Sequence, residues 1–108
     1  MYSINDIRTV HLEITAKCQA ACLQCDRNIN GGDLNPNIKL DELSLADCKK
    51  IFEPKFVKQL NSLFMCGNLG DPIIAQDSLE VMQYLRSINP DIWLSMNTNG
   101  GAKKPEWW

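Results

Sequence analysis

Cys18, Cys22 and Cys25 fall within eight consecutive residues, in the order Cys-Gln-Ala-Ala-Cys-Leu-Gln-Cys. Spacings of four and three residues let one tight loop wrap a compact core of soft metal, because thiolates favour zinc and iron–sulfur clusters. The chain has five cysteines, an odd count. A secreted disulfide framework more often shows an even count spread along the chain. Clustered thiols in a reducing compartment read instead as metal ligands or redox groups. No basic segment followed by an apolar one opens the sequence, and no apolar run reaches the ~20 residues that span a bilayer. The expectation is a cytoplasmic protein.

The residues around the cysteines set the fold class. Val10-His11-Leu12-Glu13-Ile14-Thr15 alternates apolar and polar, which predicts a strand with Val10, Leu12 and Ile14 on one face. A loop over residues 16–42 follows, with little periodicity and with turn formers at Asn30-Gly31-Gly32-Asp33-Leu34-Asn35-Pro36-Asn37. A connection of that length inside a compact domain usually signals function or disorder. Ser44 with Asp47 resembles a capping box, and Leu45, Cys48, Ile51 and Phe52 recur at helical spacing. Pro54 ends or kinks that helix, with a short helical piece expected over 56–60. Ser62-Leu63-Phe64-Met65-Cys66 reads as a buried strand. A second helix is expected from Asp77, capped with Glu80, with a stripe of Leu79, Met82, Leu85 and Ile88. Ile92-Trp93-Leu94-Ser95-Met96-Asn97 reads as the third strand.

Strand, helix, strand, helix, strand predicts an α/β fold with a parallel sheet and right-handed crossovers, in one domain over residues 1–108. Lys104-Pro105-Glu106-Trp107-Trp108 reads as the first turn of a third helix, so the expectation is a truncated core. Three irregular segments each follow a strand: the cysteine loop, residues 67–72 and residues 97–101. Ligands of parallel α/β folds bind at the C-terminal ends of strands, so all three are expected on one sheet edge. A structural zinc site wants four ligands, and the local motif offers three. Three thiolates on a four-iron cluster leave one iron open to a substrate or cofactor.

The C-x3-C-x2-C pattern in the loop after the first strand resembles the signature of the radical S-adenosylmethionine (radical SAM) superfamily. Leu69-Gly70-Asp71-Pro72 resembles that family's Gly-Gly-Glu-Pro motif, and Ser95-Met96-Asn97-Thr98-Asn99-Gly100 resembles its Thr-Asn-Gly segment. Leu12-Glu13 followed by Thr15 is similar to the family's lead-in. The resemblance runs over nearly the whole chain. It implies the first half of a partial (β/α)6 TIM-like barrel. It implies a 4Fe–4S cluster on Cys18, Cys22 and Cys25, with S-adenosylmethionine on the open iron. It implies reductive cleavage to a 5′-deoxyadenosyl radical that abstracts hydrogen from an unknown substrate. It also implies cofactor contacts at Gly67, Asn68, Leu69, Gly70, Asp71, Asn97 and Asn99, with the Asp71 carboxylate suited to an ammonium group. A one-electron donor such as flavodoxin or ferredoxin is implied as partner, and relatives with the Thr-Asn-Gly segment often carry C-terminal auxiliary cluster domains. Gln24 departs from the family, which usually has an aromatic residue before the third cysteine. Leu69 and Asp71 depart from its glycine and glutamate.

Other readings stay beside this one. The same three cysteines, with Cys66 or His11 as fourth ligand, would make a non-enzymatic zinc module. An inert remnant that folds poorly alone is a third reading. Residues 67–72 and the two asparagines, Asn97 and Asn99, also suit simple turns. Cys48 and Cys66 read as buried inert thiols, since free cysteine behaves as a small hydrophobe. His11 reads as a satisfied structural histidine, and Glu13 as either inward-facing or solvated. The net charge of -2 is scattered, with no basic run to suggest nucleic acid or an anionic membrane.

Overall fold

The computed structural model describes all residues from Met1 to Trp108. Three strands, β1 (Thr9–Leu12), β2 (Ser62–Met65) and β3 (Trp93–Met96), form a parallel sheet in the order β1-β2-β3. Between β1 and β2 lie the cysteine loop and two short helices, α1 (Leu45–Ile51) and α2 (Pro54–Gln59); α3 (Ser78–Ile88) joins β2 to β3. The α/β class with a parallel sheet is as expected. No helix is long and apolar enough to cross a membrane.

Register explains how the sheet divides its faces. Val10, Leu63 and Leu94 are aligned across the strands, and so are Leu12, Met65 and Met96. This face meets Cys48, Phe52, Val57, Leu60, Val81 and Leu85 from the helices, with Ile92 at the entry to β3. The opposite face carries Thr9, Ser62 and Trp93 in one row and His11, Phe64 and Ser95 in the next. Trp93 stays 73% exposed there. Parallel sheets are usually covered on both sides; here the covering is one-sided.

Several boundaries differ from the expectation for a physical reason. β1 stops at Leu12 because the next residues leave β2 and pair with the returning end of the cysteine loop. The Leu43 N–H donates to the Ile14 carbonyl at 2.9 Å, the Ala16 N–H to Asp41 at 3.0 Å, and Thr15 bridges Glu42 antiparallel. Helix α1 begins as read: the Ser44 hydroxyl accepts the Asp47 N–H, and Asp47 accepts the Ser44 N–H. Pro54 opens α2 instead of only ending α1, since its missing N–H costs nothing at the first helical position. Asp77 precedes α3 but makes no side-chain cap there; its carboxylate accepts the Leu45 N–H at 2.8 Å and so closes the start of α1. The buried stripe of α3 is Ser78, Val81 and Leu85, rotated from the expected one, and Ile51 of α1 lies exposed. Pro105–Trp107 forms a single 3-10 turn.

Cys48 sits in the core between these helices. Burial, followed by the carboxylates of Asp47 and Asp77, pushes its thiol from the ordinary 9.0 up to about 11.

Two stability outcomes follow from this packing. Leu63 is fully buried, so Leu63→Ala is expected to cost about 2–5 kcal/mol. Trp93→Ala on the open face should stay within about 0.5 kcal/mol. Urea titrations of the two variants check the difference. For Cys48 the folded-state pKa is raised, so its contribution is complete below pH 9.0 and is lost as pH rises towards about 11. Stability measured from pH 8 to pH 11 should therefore decline, and Cys48→Ala should make that decline shallower.

Candidate functional site

The three segments that follow the strands meet at the C-terminal edge of the sheet. Glu13, just past β1, accepts the Asn68 side-chain amide at 2.6 Å and the Asn68 N–H at 3.3 Å. The Asp71 N–H donates to the Lys17 carbonyl at 2.9 Å, one residue before Cys18. Gly70 lies so close to the carbonyl groups of Thr15 and Ala16 that a Cβ there has no room. Glycine is the residue that permits this approach.

Asp71 links the second segment to the third. Its buried carboxylate accepts the Ile73 N–H at 3.1 Å, the Thr98 hydroxyl at 2.7 Å and the Asn99 N–H at 2.8 Å. The carboxylate expected to face an ammonium group is thus turned towards the loop after β3. Asn99 then reaches the first segment: its side-chain oxygen accepts the Gln19 amide at 2.6 Å, and its amide nitrogen lies 3.7 Å from the Cys18 sulfur. Asn97 donates its N–H to the Met65 carbonyl at 2.9 Å and extends the sheet ladder.

Within the cysteine loop the chain is stapled by Arg27. Its guanidinium donates to the Ala16 carbonyl at 3.2 Å and to the Ala20 carbonyl at 3.3 Å. A narrow antiparallel turn follows, with Asn28 bridging Leu34 and with Asn30 and Gly31 at φ 50° and 75°. The loop is closed at its far end by Glu42, which accepts the Thr15 hydroxyl at 3.0 Å and the Gln76 N–H at 3.1 Å and pairs with Lys17 at 3.6 Å. Burial would raise the Glu42 pKa, but the bonds from Gln76, Thr15 and Lys17 outweigh it and hold the carboxyl below its ordinary value.

Cys18, Cys22 and Cys25 line one cavity of about 90 Å³ together with Ala20, Arg27, Gly67, Asn68, Leu69 and Gly70. All five thiols are free; Cys22 is exposed, and Cys18 and Cys25 are half-buried. Of the expected contacts, residues 67–70 share the cavity with the cysteines, whereas Asp71, Asn97 and Asn99 stand outside its lining. Arg27 is a member that sequence reading missed; a lone arginine two residues past the last cysteine gives no local signal. A second cavity, about 360 Å³, is lined by Glu13, Thr15, Asp41 and Glu42 among others, and Leu69 borders both.

No protein-family model, curated protein or solved structure matches the chain.

The donor set can be tested against a metal. A single zinc ion needs its ligands about 2.0–2.3 Å from one point. No three His, Cys, Asp or Glu side chains are grouped to hold one ion. His11 donates from Nε2 to the Cys66 carbonyl at 2.6 Å and stacks on Phe64 at 4.7 Å, and neither His11 nor Cys66 lines the cysteine cavity. Cys66 is half-buried, not buried as read from sequence. A cluster distributes its thiolates over separate irons. Three soft thiol donors lining one cavity supply the donor chemistry that a cluster takes, and Arg27 lines the same cavity.

Gly70 tests how tightly the two loops must meet. Gly70→Ala would drive a methyl group into the Thr15 backbone. The expected outcome is a loss of about 1–3 kcal/mol in urea denaturation, as for other overpacked sites. The three cysteines should also alkylate faster in the native state as their loop is displaced.

Proposed function

We propose that this chain carries the cluster-binding strands of a radical SAM core. Cys18, Cys22 and Cys25 would hold a 4Fe–4S cluster, and S-adenosylmethionine would take the iron that has no protein ligand. One observation carries the reading: the three cysteines and residues 67–70 surround a single cavity at the C-terminal edge of a parallel sheet. When bound, the cluster would supply one electron for the reductive cleavage of S-adenosylmethionine, and so the hydrogen-abstraction chemistry that the resemblance implies.

The chain's own residues have definable tasks in this reading. The three thiols lose their protons to become ligands, and Arg27 balances the charge that remains. Gly70 lets residues 67–70 lie against the cysteine loop, so an ammonium group meets the backbone there and the polar atoms of Asn68. Asp71 acts from behind, by fixing that segment to the loop after β3. The adjoining cavity of about 360 Å³ offers room beside the cysteines for the body of a small organic cofactor.

The winding of the sheet supports the finer fold reading. The strand order is sequential, and the buried side chains of all three helices meet the same sheet face. In doubly wound sheets helices cover both faces, whereas in a barrel they form only an outer ring. The three strands would then be the first half of a partial (β/α)6 barrel, with His11, Phe64 and Ser95 on its inner side.

Anaerobic reconstitution with iron and sulfide tests the proposal. The expected product is brown and oxygen-sensitive, with about four irons per chain and an electron paramagnetic resonance signal on reduction that changes when S-adenosylmethionine is added. Replacing any one of Cys18, Cys22 or Cys25 by Ala should abolish it. A colourless chain with one tightly bound zinc, or four irons retained without one of these thiols, would overturn the assignment.

A further inference from the structure

The sulfur of Cys18 is treated differently from its two neighbours. The Ala20 N–H points to it at 3.4 Å and the Asn99 side-chain amide at 3.7 Å, while the thiol itself donates to the Gln19 side-chain oxygen at 3.7 Å. No hydrogen bond reaches the sulfur of Cys22 or Cys25. Asn99 is not oriented by chance. Its side-chain oxygen accepts the Gly101 N–H at 2.9 Å, and a backbone N–H can only donate. The same oxygen accepts the Gln19 amide. The other end of the side chain, facing Cys18, must then be the nitrogen. The backbone of Asn99 is itself held by the buried Asp71 carboxylate at 2.8 Å. A donor from the end of β3 is therefore delivered to a sulfur in the loop after β1, across 81 residues of sequence.

Hydrogen bonds to ligating sulfurs set the reduction potential of an iron–sulfur centre. Reduction adds negative charge, part of which falls on the thiolates. An N–H aimed at a thiolate stabilises the reduced form more than the oxidised one, so the potential rises. We propose that Asn99 is a positioning residue that makes the cluster easier to reduce by donating its side-chain N–H to the Cys18 sulfur. This rests on the iron–sulfur reading above. Asn99 thus contributes through a ligand and not as a wall of the cavity.

The test is anaerobic redox titration of the full chain after reconstitution, followed by electron paramagnetic resonance, with iron counted in every sample. Asn99→Ala removes the donor and should lower the midpoint potential by about 59 mV, a tenfold shift in a one-electron equilibrium. Asn99→Asp keeps the acceptor for Gly101 but puts a negative oxygen near the sulfur, and should lower the potential further. Equal potentials in all three proteins, each with its full iron, would overturn the role of Asn99 and leave the cluster assignment standing. Absence of a cluster in the unsubstituted chain would overturn the assignment itself, and the inference with it. If a variant fails to load, protein labelled with 15N in asparagine side-chain amides and carrying Asn68→Ala, which removes the other asparagine amide at the cavity, decides. A nitrogen coupling on the reduced signal supports the contact, and its absence overturns it.

Discussion

Asp71 is 5% exposed, and its carboxylate forms no salt bridge. Burying a charge is costly unless it is fully hydrogen-bonded. Asp71 meets that requirement with the Ile73 N–H, the Thr98 hydroxyl and the Asn99 N–H, while its own N–H donates to Lys17. Bonds to an ionised acceptor are about twice as strong as neutral ones. The residue therefore does more than turn a corner. It ties together loops from all three strands, and any one loop that moved would strand a buried polar group. The cysteine loop has few apolar anchors of its own, with Leu23, Ile29 and Leu34 all exposed. Its position depends on such polar ties, at Asp71, Arg27 and Glu42.

The sheet explains why those ties fall where they do. With the strands in parallel, each strand's C-terminal end opens into a loop at the same edge. The core lies wholly on the helix side, so the polar loops share the rim and the open face. Charge and thiol are thereby kept out of the core, apart from Cys48. Its raised pKa makes it a poor nucleophile and a poor ligand at neutral pH, because the thiolate is the reactive species.

What could be read beforehand follows from range along the chain. The capping box at Ser44 and the apolar run of β2 are local patterns, and each was legible. The meeting of three post-strand segments was also legible, since strand order alone places them on one edge. The roles of Asp77 and Asp71 were not. Asp77 carries the signature of a cap for α3, yet its carboxylate closes α1, 32 residues earlier. Asp71 carries a residue type suited to an ammonium group, yet its oxygens are taken by the loop after β3. Both outcomes depend on which donor lies nearest in space, and spacing along the sequence does not record that. The end of β1 was misjudged for the same reason: Ile14 keeps the alternation but finds its partner in Leu43, not in β2.

The three cysteines are equivalent in spacing but not in setting. Cys22 is exposed and meets no donor; Cys18 is half-buried and meets two. Exposure favours access and exchange, whereas donors and burial hold a ligand in place and tune the metal it binds. In the proposed function these demands coexist, because one side of the site must admit a cofactor while the other holds the ligands steady. One donor, the Ala20 N–H, belongs to the cysteine loop itself; the other comes from the Asn99 loop, which Asp71 anchors into the fold. Through Asn99, the same buried carboxylate that holds the loops together also fixes a donor to the Cys18 sulfur.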